Sequence, residues 1–219
     1  MIRGILFDIG GTLVEVTDPA RVIHSFLEDR GIPKTLDEVS RAVYSADKSF
    51  SGDEFIPRSF WKEWNERVLM NLGISSDREL TAAQIDSEWF NRSTVKVYPE
   101  VREVLSELKE RKIRLGAVTN GVESDLEHLL RRPGLSEFFD AAVSADMVGR
   151  RMPNPRIFLY ASRKLGLPPS DVLSVGDDPD LDYRPSESVG MTPLLIDREG
   201  RNLLLKNVAR DLHGVFEYL

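Results

Sequence analysis

Two patterns of hydrophobic and polar positions alternate along most of this chain. Short apolar runs are typical of strands buried on both faces of a parallel sheet, and apolar residues that recur at i, i+3, i+4 and i+7 are typical of amphipathic helices. The runs predict strands at 5–7, 115–118, 141–143, 172–175 and 194–196. Helices are predicted after Pro99, around 126–130, over 155–165 and, as a closing element, over 205–216. This alternation predicts an α/β fold with a Rossmann-like, doubly wound parallel sheet.

Residues 15–93 have a different pattern, with helical periodicity and without runs typical of buried strands. One amphipathic helix is expected from Pro19, and a second over 60–72, ending at Gly73. We therefore expect a helical domain at 15–93, inserted into an α/β domain made of residues 1–14 and 94–219. The tryptophans of the insert are expected to pack in its core; they are Trp61, Trp64 and Trp89.

Composition narrows the possible functions. The formal net charge of −7 argues against nucleic acid as the main partner, because phosphate backbones are bound by basic surfaces. Cysteine is absent, and the three histidines lack the spacing of zinc ligands. No apolar run is long enough to span a membrane, and the N-terminus lacks a signal-peptide pattern. We expect a cytoplasmic protein that binds neither membranes nor nucleic acid.

Polar residues follow three of the predicted strands, namely Asp8, Thr119 and Asp177. The carboxyl ends of parallel strands meet at one edge of a sheet, so these side chains are expected to converge. Two carboxylates there would repel each other unless a cation lay between them, and oxygen ligands with several waters favour Mg²⁺. Asp182, five residues after Asp177, is placed to orient such a site.

The segment after Thr119 carries the groups that an anion would need. Asn120 and Gly121 offer amide groups where a helix is expected to begin, which suits a phosphoryl oxygen. Each feature alone has an ordinary structural explanation, since an aspartate after a strand is commonly a helix cap and Thr-Asn-Gly is a common turn. The three strand ends in this order, with a helical insert after the first, favour a functional site.

The chain resembles the haloacid dehalogenase (HAD) superfamily of hydrolases, over nearly its whole length. The resemblance rests on these segments: Phe7-Asp8-Ile9-Gly10-Gly11-Thr12-Leu13, Tyr98-Pro99-Glu100-Val101, Val118-Thr119-Asn120-Gly121, 148–158, Val175-Gly176-Asp177-Asp178-Pro179-Asp180-Leu181-Asp182 and Val189-Gly190-Met191. The helical insert is similar to the cap that subclass I members carry after their first motif. These motifs are specific for the superfamily and not for a substrate.

The resemblance implies a Mg²⁺-dependent phosphatase that acts on a small phosphorylated metabolite. Asp8 would be the nucleophile that forms an aspartyl-phosphate, and Thr119 would hold a phosphoryl oxygen. The metal site would comprise Asp8, the carbonyl of Gly10, Asp177 and Asp182. Phosphate contacts are expected from Gly11, Thr119, Asn120 and Arg151.

Two positions depart from the family pattern. The phosphatases of the family have an aspartate, acting as general acid and base, where this chain has Gly10, which cannot transfer a proton. Relatives have a lysine where this chain has Met152, and a thioether carries no charge. Arg150 or Arg151 is the candidate to supply the missing charge.

Three interpretations follow from these departures. The first is an attenuated phosphatase that still uses good leaving groups such as acyl or aryl phosphates. The second is a non-catalytic protein of the same fold that binds a ligand or partner. The third is a dehalogenase or phosphonatase. Dehalogenase relatives work without metal, however, and none of the candidate Schiff-base lysines of the insert stands out; these are Lys34, Lys48 and Lys62.

Overall fold

The computed structural model describes residues 1–50, 55–202 and 204–219. Its strands are β1 (Gly4–Asp8), β2 (Val14–Val16), β3 (Val95–Val97), β4 (Arg114–Thr119), β5 (Ala141–Ser144), β6 (Val172–Gly176), β7 (Thr192–Ile196) and β8 (Val208–Ala209). Its α-helices are α1 (Pro19–Asp29), α2 (Leu36–Ser49), α3 (Phe60–Asn71), α4 (Arg78–Arg92), α5 (Val101–Glu110), α6 (Ala145–Val148), α7 (Pro155–Leu165) and α8 (Arg184–Ser188). None of the described helices has both the length and the apolar character needed to cross a lipid bilayer.

A parallel sheet is the centre of the fold. Within the described chain it has six strands in the order β5-β4-β1-β6-β7-β8, with β1 between β4 and β6. Successive residues of β1 point to opposite faces: Ile5 and Phe7 belong to one hydrophobic cluster, and Leu6 belongs to another. Both faces are therefore covered, which explains why the strands are continuous apolar runs. The predicted α/β fold is confirmed.

Helices α1 to α4 form a helical layer, and this layer encloses a third hydrophobic cluster. Its largest side chains, Trp64, Phe26 and Phe60, are almost completely buried. Val122 and Ala145, from the part of the chain around the sheet, complete the cluster. The helical layer thus packs against the carboxyl edge of the sheet rather than standing apart from it.

A small ribbon lies where the chain enters and leaves these four helices. Strand β2 pairs with β3 in antiparallel fashion, and Val14 lies opposite Val97. The helices begin soon after β2 because Asp18 caps α1, accepting hydrogen bonds from the backbone N–H groups of Ala20 and Arg21. The ribbon thus joins the two chain segments that precede α1 and follow α4.

The end of the chain differs from its prediction. In place of a closing α-helix over 205–216, the chain forms the short strand β8 beside β7 and then a 3₁₀ turn over Leu212–Tyr218. Leu212 and Val215, three residues apart, are fully buried, and this spacing suits a 3₁₀ turn. The apolar residues of 205–216 were compatible with a helix, but pairing with the sheet edge satisfies the backbone of β8 instead. The helix predicted around 126–130 is reduced to one π-helical turn at Glu127–Arg131.

Candidate active site

Three strand ends open into one cavity of about 730 Å³ between the sheet and the helical layer. Asp8 is the last residue of β1, Thr119 is the last residue of β4, and Asp177 directly follows β6. Because β4 and β6 flank β1 in parallel register, the three side chains lie at the same edge of the sheet, and all three line the cavity.

A cluster of carboxylates forms the floor of this cavity. One carboxylate oxygen from each of Asp8, Asp177 and Asp182 lies within 4.8 Å of the others. Asp8 and Asp182 are buried, whereas Asp177 remains accessible. Asp182 Oδ2 accepts a hydrogen bond from the N–H of Asp178 at 3.0 Å, and Asp182 Oδ1 is buried without a hydrogen-bond partner in the described part of the chain.

A short turn holds Asp182 in this position. The side chain of Asp178 accepts hydrogen bonds from the N–H groups of Asp180 and Leu181, at 2.7 and 2.9 Å, and so caps the turn Pro179–Tyr183. Asp178 and Asp182 therefore have different roles, because Asp178 caps the turn and the turn positions Asp182 in the cluster.

The electrostatics of the cluster favour a cation. Burial, together with the charges of Asp177 and Asp178, raises the pKa of Asp182 to about 8. Burial also raises the pKa of Asp8 well above its ordinary value, with contributions from Asp182 and Asp177, and partial desolvation raises that of Asp177 to about 6. Carboxylates in this state bind a proton or a metal ion. The all-oxygen donor set and the unpartnered Asp182 Oδ1 fit a hard divalent cation such as Mg²⁺.

The glycines of the first loop allow close approach to the cluster. Gly11 has a φ of +86°, and a Cβ there would lie 2.2 Å from Asp177 Oδ2. Gly10 also lines the cavity, but a Cβ built on it meets no atom within 4 Å. Only Gly11 is therefore required by sterics, and the loop has room for a side chain at Gly10.

The segment after Thr119 is organised by its own hydrogen bonds. Thr119 Oγ1 accepts a hydrogen bond from the N–H of Gly121 at 3.1 Å. Asn120 Oδ1 accepts from the N–H of Met152 at 2.6 Å, and its Nδ2 donates to the Met152 carbonyl at 3.3 Å. Asn120 lines the cavity, but its side-chain amide fixes the Met152 loop, a role that the sequence did not indicate.

Arg151, expected to contact phosphate, has several contacts in the helical layer. Its Nη2 donates to the carbonyls of Phe50 and Asp47, at 2.8 and 3.2 Å, and its guanidinium lies over the rings of Phe50 and Phe60. Arg151 thus contacts the helical layer, where backbone carbonyls and aromatic faces lie within its reach. Met152 is 2% exposed, packs against the core and also lines the cavity.

A cation from another element, missed in the sequence, lies near the cluster. Arg198, two residues after β7, donates from Nη2 to the carbonyl of Thr12 at 3.1 Å and pairs with Glu100 Oε1 at 2.8 Å. Its guanidinium lies 3.6 Å from the ring centroid of Tyr98, and its charge lowers the pKa of Asp177. An arginine after the last predicted strand was the available signal, since that strand also ends at the site edge.

The helical layer contributes side chains that the sequence assigned to the core. Trp64 is buried as predicted, but Trp61 and Trp89 are only partly buried and line the cavity. Trp61 Nε1 donates to Asp125 Oδ2 at 2.7 Å. Helical periodicity places all three tryptophans on apolar faces, and only the packing distinguishes the one that is enclosed.

The fold and this site define a class of hydrolase with acidic groups at the carboxyl edge of a parallel sheet, beneath a helical layer. The chain belongs to the haloacid dehalogenase-like hydrolases, whose family model matches residues 2–190. The family resemblance is confirmed.

Named relatives include phosphatases and dehalogenases. The chain is 31% identical to glyceraldehyde 3-phosphate phosphatase of Methanopyrus kandleri, over 90% of this chain and 85% of the relative. It is 27% identical to (S)-2-haloacid dehalogenase 2 of Pseudomonas sp., over 81% of this chain and 76% of the relative. The fold is similar to that of a HAD phosphatase from Thermococcus onnurineus, with a TM-score of 0.70, 24% identity, and coverage of 99% of this chain and 97% of that one.

Proposed function

We propose that this protein is a Mg²⁺-dependent phosphatase of small phosphorylated metabolites that works through a phosphorylated Asp8. The observation that carries the proposal is the carboxylate cluster of Asp8, Asp177 and Asp182 at the sheet edge, beside Thr119. The similarity to phosphatases supports the same activity. In this proposal residues 15–93 are the cap that covers the site.

The residues have separable roles in the proposed reaction. A carboxylate oxygen of Asp8 attacks phosphorus, and the bond from phosphorus to the ester oxygen breaks with its electron pair on that oxygen. Water then attacks phosphorus and loses a proton to solvent, the bond to Asp8 breaks with its electron pair on the carboxylate oxygen, and inorganic phosphate leaves. Thr119 holds a phosphoryl oxygen, with Gly11 at the same edge. Mg²⁺, held by Asp8, Asp177, Asp182 and the Gly10 carbonyl, would offset negative charge on the phosphoryl group.

The proposed activity is attenuated because two chemical groups are missing. Gly10 supplies no proton to the departing oxygen, and Met152 supplies no positive charge. Positioned acid–base catalysis contributes about 10²–10⁴-fold to such reactions. Acyl and aryl phosphates need little protonation of the leaving group, so they are the expected substrates in an assay.

The first test is Mg²⁺-dependent phosphate release from acetyl phosphate and an aryl phosphate. Asp8→Asn should abolish turnover. Asp180→Asn, the same change on an exposed carboxylate of the 179–183 turn, should retain it. Turnover by Asp8→Asn at the rate of the unmodified chain would rule out the proposed nucleophile. If the unmodified chain also shows no turnover, the result would favour the second interpretation, a non-catalytic binding protein.

A second candidate activity rests on the dehalogenase relative. Release of halide from a 2-haloacid, unaffected by removal of Mg²⁺ with a chelator, would favour it. The cluster of three carboxylates is an argument against it, because without a metal ion any ionised member of the cluster would repel the carboxylate of the haloacid.

A further inference from the structure

The cavity is strongly acidic beyond the groups that the proposed reaction uses. Carboxylates that line it are Asp8, Glu15, Asp86, Asp125, Asp177, Asp178 and Asp182. No lysine or arginine is among the described residues that line it, and residues 51–54 and 203 contain neither type. A metal ion at the floor would offset part of the charge there. It would leave Glu15, Asp86 and Asp125 without a basic side chain in the lining.

Aromatic rings from the helical layer also line this cavity. Trp61 and Trp89 stack with their ring centroids 6.4 Å apart and their planes 12° from parallel. Phe90, which follows Trp89 in α4, stacks on His128 with the ring centroids 3.9 Å apart. The hydrogen bond from Trp61 Nε1 to Asp125 satisfies the polar edge of the indole, so Trp61 has a fixed orientation.

Together, the aromatic rings and the carboxylates of the cavity favour a ligand that carries a positive charge. The faces of tryptophan and tyrosine attract cations, and aromatic enclosures are a common means of binding ammonium groups. A ligand with a second anionic group would meet carboxylates, and no lysine or arginine among the described lining residues would contact it. An uncharged group meets no electrostatic repulsion in the cavity, and a cationic group is attracted by both the aromatic rings and the carboxylates.

We infer that the preferred substrate is a phosphomonoester of an alcohol that carries an ammonium group, held by Trp61, Trp89 and the carboxylates of Glu15, Asp86 and Asp125. This inference rests on the proposed function, because it assigns the part of the substrate that leaves with the ester oxygen. Phosphomonoesters with a carboxylate in that part are poor substrates for the same reason.

Three matched esters test the preference. Phosphocholine carries a quaternary ammonium, 3,3-dimethylbutyl phosphate is its uncharged isostere, and the phosphate ester of 3-hydroxypropanoate carries a carboxylate. We expect kcat/KM for phosphocholine to exceed that for the uncharged isostere about tenfold, and the anionic ester to be the poorest. Equal values for all three, or a preference for the anionic ester, would overturn the inference.

A binding measurement separates this inference from the proposed chemistry. Two of the three tryptophans line the cavity, so choline should change the intrinsic fluorescence, and 3,3-dimethylbutanol at the same concentration should change it much less. Choline binding without turnover of any ester would refute the proposed function and the substrate assignment, and would leave only the ammonium-binding site supported. Failure of choline to bind more tightly than the uncharged alcohol would overturn the inference, even if esters are hydrolysed.

Charge-neutralising variants identify the residues responsible. Asp86→Asn and Glu15→Gln should each lower the ratio of choline affinity to dimethylbutanol affinity severalfold. Glu79→Gln is the matched control, because Glu79 belongs to the same helix as Asp86 but pairs with Lys62 away from the cavity. An unchanged ratio in both Asp86→Asn and Glu15→Gln would contradict the assigned ligand site.

Discussion

Replacing Gly10 with aspartate should restore the missing acid–base step, and the structure defines how large the effect should be. A Cβ on Gly10 meets no heavy atom within 4 Å, and the residue does not need the left-handed conformation that excludes side chains. The substitution should therefore add a carboxyl group at the cavity without displacing the loop. The full contribution of a positioned acid, about 10²–10⁴-fold, is then available to substrates whose leaving group needs a proton.

The assay compares two substrates that differ in this need. Gly10→Asp should raise kcat for an alkyl phosphate by about 10²-fold or more, whereas turnover of acetyl phosphate should change by less than about threefold. Gly10→Asn is the matched control, because it has the same shape and cannot donate a proton in this way. The double variant with Asp8→Asn should be inactive on both substrates.

Two results would contradict the view that the site lacks a proton donor at Gly10. Equal activity of Gly10→Asp and Gly10→Asn on the alkyl phosphate would show that the proton is not what the site lacks. An equal gain on both substrates would point to better substrate binding instead. Gly11→Ala provides the steric contrast, since its Cβ would lie 2.2 Å from Asp177 Oδ2, and it should lose activity on every substrate.

Three further predictions concern the metal, the loop and the core. Mg²⁺ should bind at least about tenfold more tightly at pH 8 than at pH 5, as measured by calorimetry. The pKa values of Asp177 and Asp182 are about 6 and 8, and below those values the metal must displace a proton from each carboxylate. A Kd independent of pH would contradict this prediction. Asn120→Ala should lower the free energy of unfolding in urea by about 1–3 kcal/mol, because it removes both hydrogen bonds to the Met152 backbone, and a change below the measurement error would refute that role. Trp64→Ala should cost about 3–5 kcal/mol in the same experiment, because Trp64 is 2% exposed in its cluster; a cost under about 1 kcal/mol would show that the cluster repacks.

Much of the fold could be predicted because the strands carry their own signal. A strand covered on both faces must be apolar at every position, and Ile5, Leu6 and Phe7 satisfy this without reference to the rest of the chain. Helix starts were also local, since Asp18 caps α1 through its own backbone neighbours. The end of the chain was predicted wrongly because β8 depends on pairing with β7, a contact that helical periodicity cannot express.

In the candidate site, too, some features follow from local sequence and others from packing between distant elements. That Asp8, Thr119 and Asp177 lie at one edge follows from strand order and direction, which the motifs indicate. The roles of Asn120, Arg151 and Arg198 depended on partners distant in sequence: the Met152 backbone, the carbonyls at the end of α2, and Thr12. A long polar side chain can reach several groups, and only the packed structure determines which it contacts.

Local sequence was enough to indicate the α/β fold, the family and the chemistry of the strand ends, because these depend on local hydrophobicity and on residues close to one another along the chain. Packing between distant elements determines that Trp61 and Trp89 line the cavity while Trp64 is enclosed, and that Arg151 faces the helical layer. It also decided that the cavity wall is acidic without a lysine or arginine among its described residues. A cavity is formed by surfaces of several elements, so its charge is the sum of side chains that no local pattern brings together.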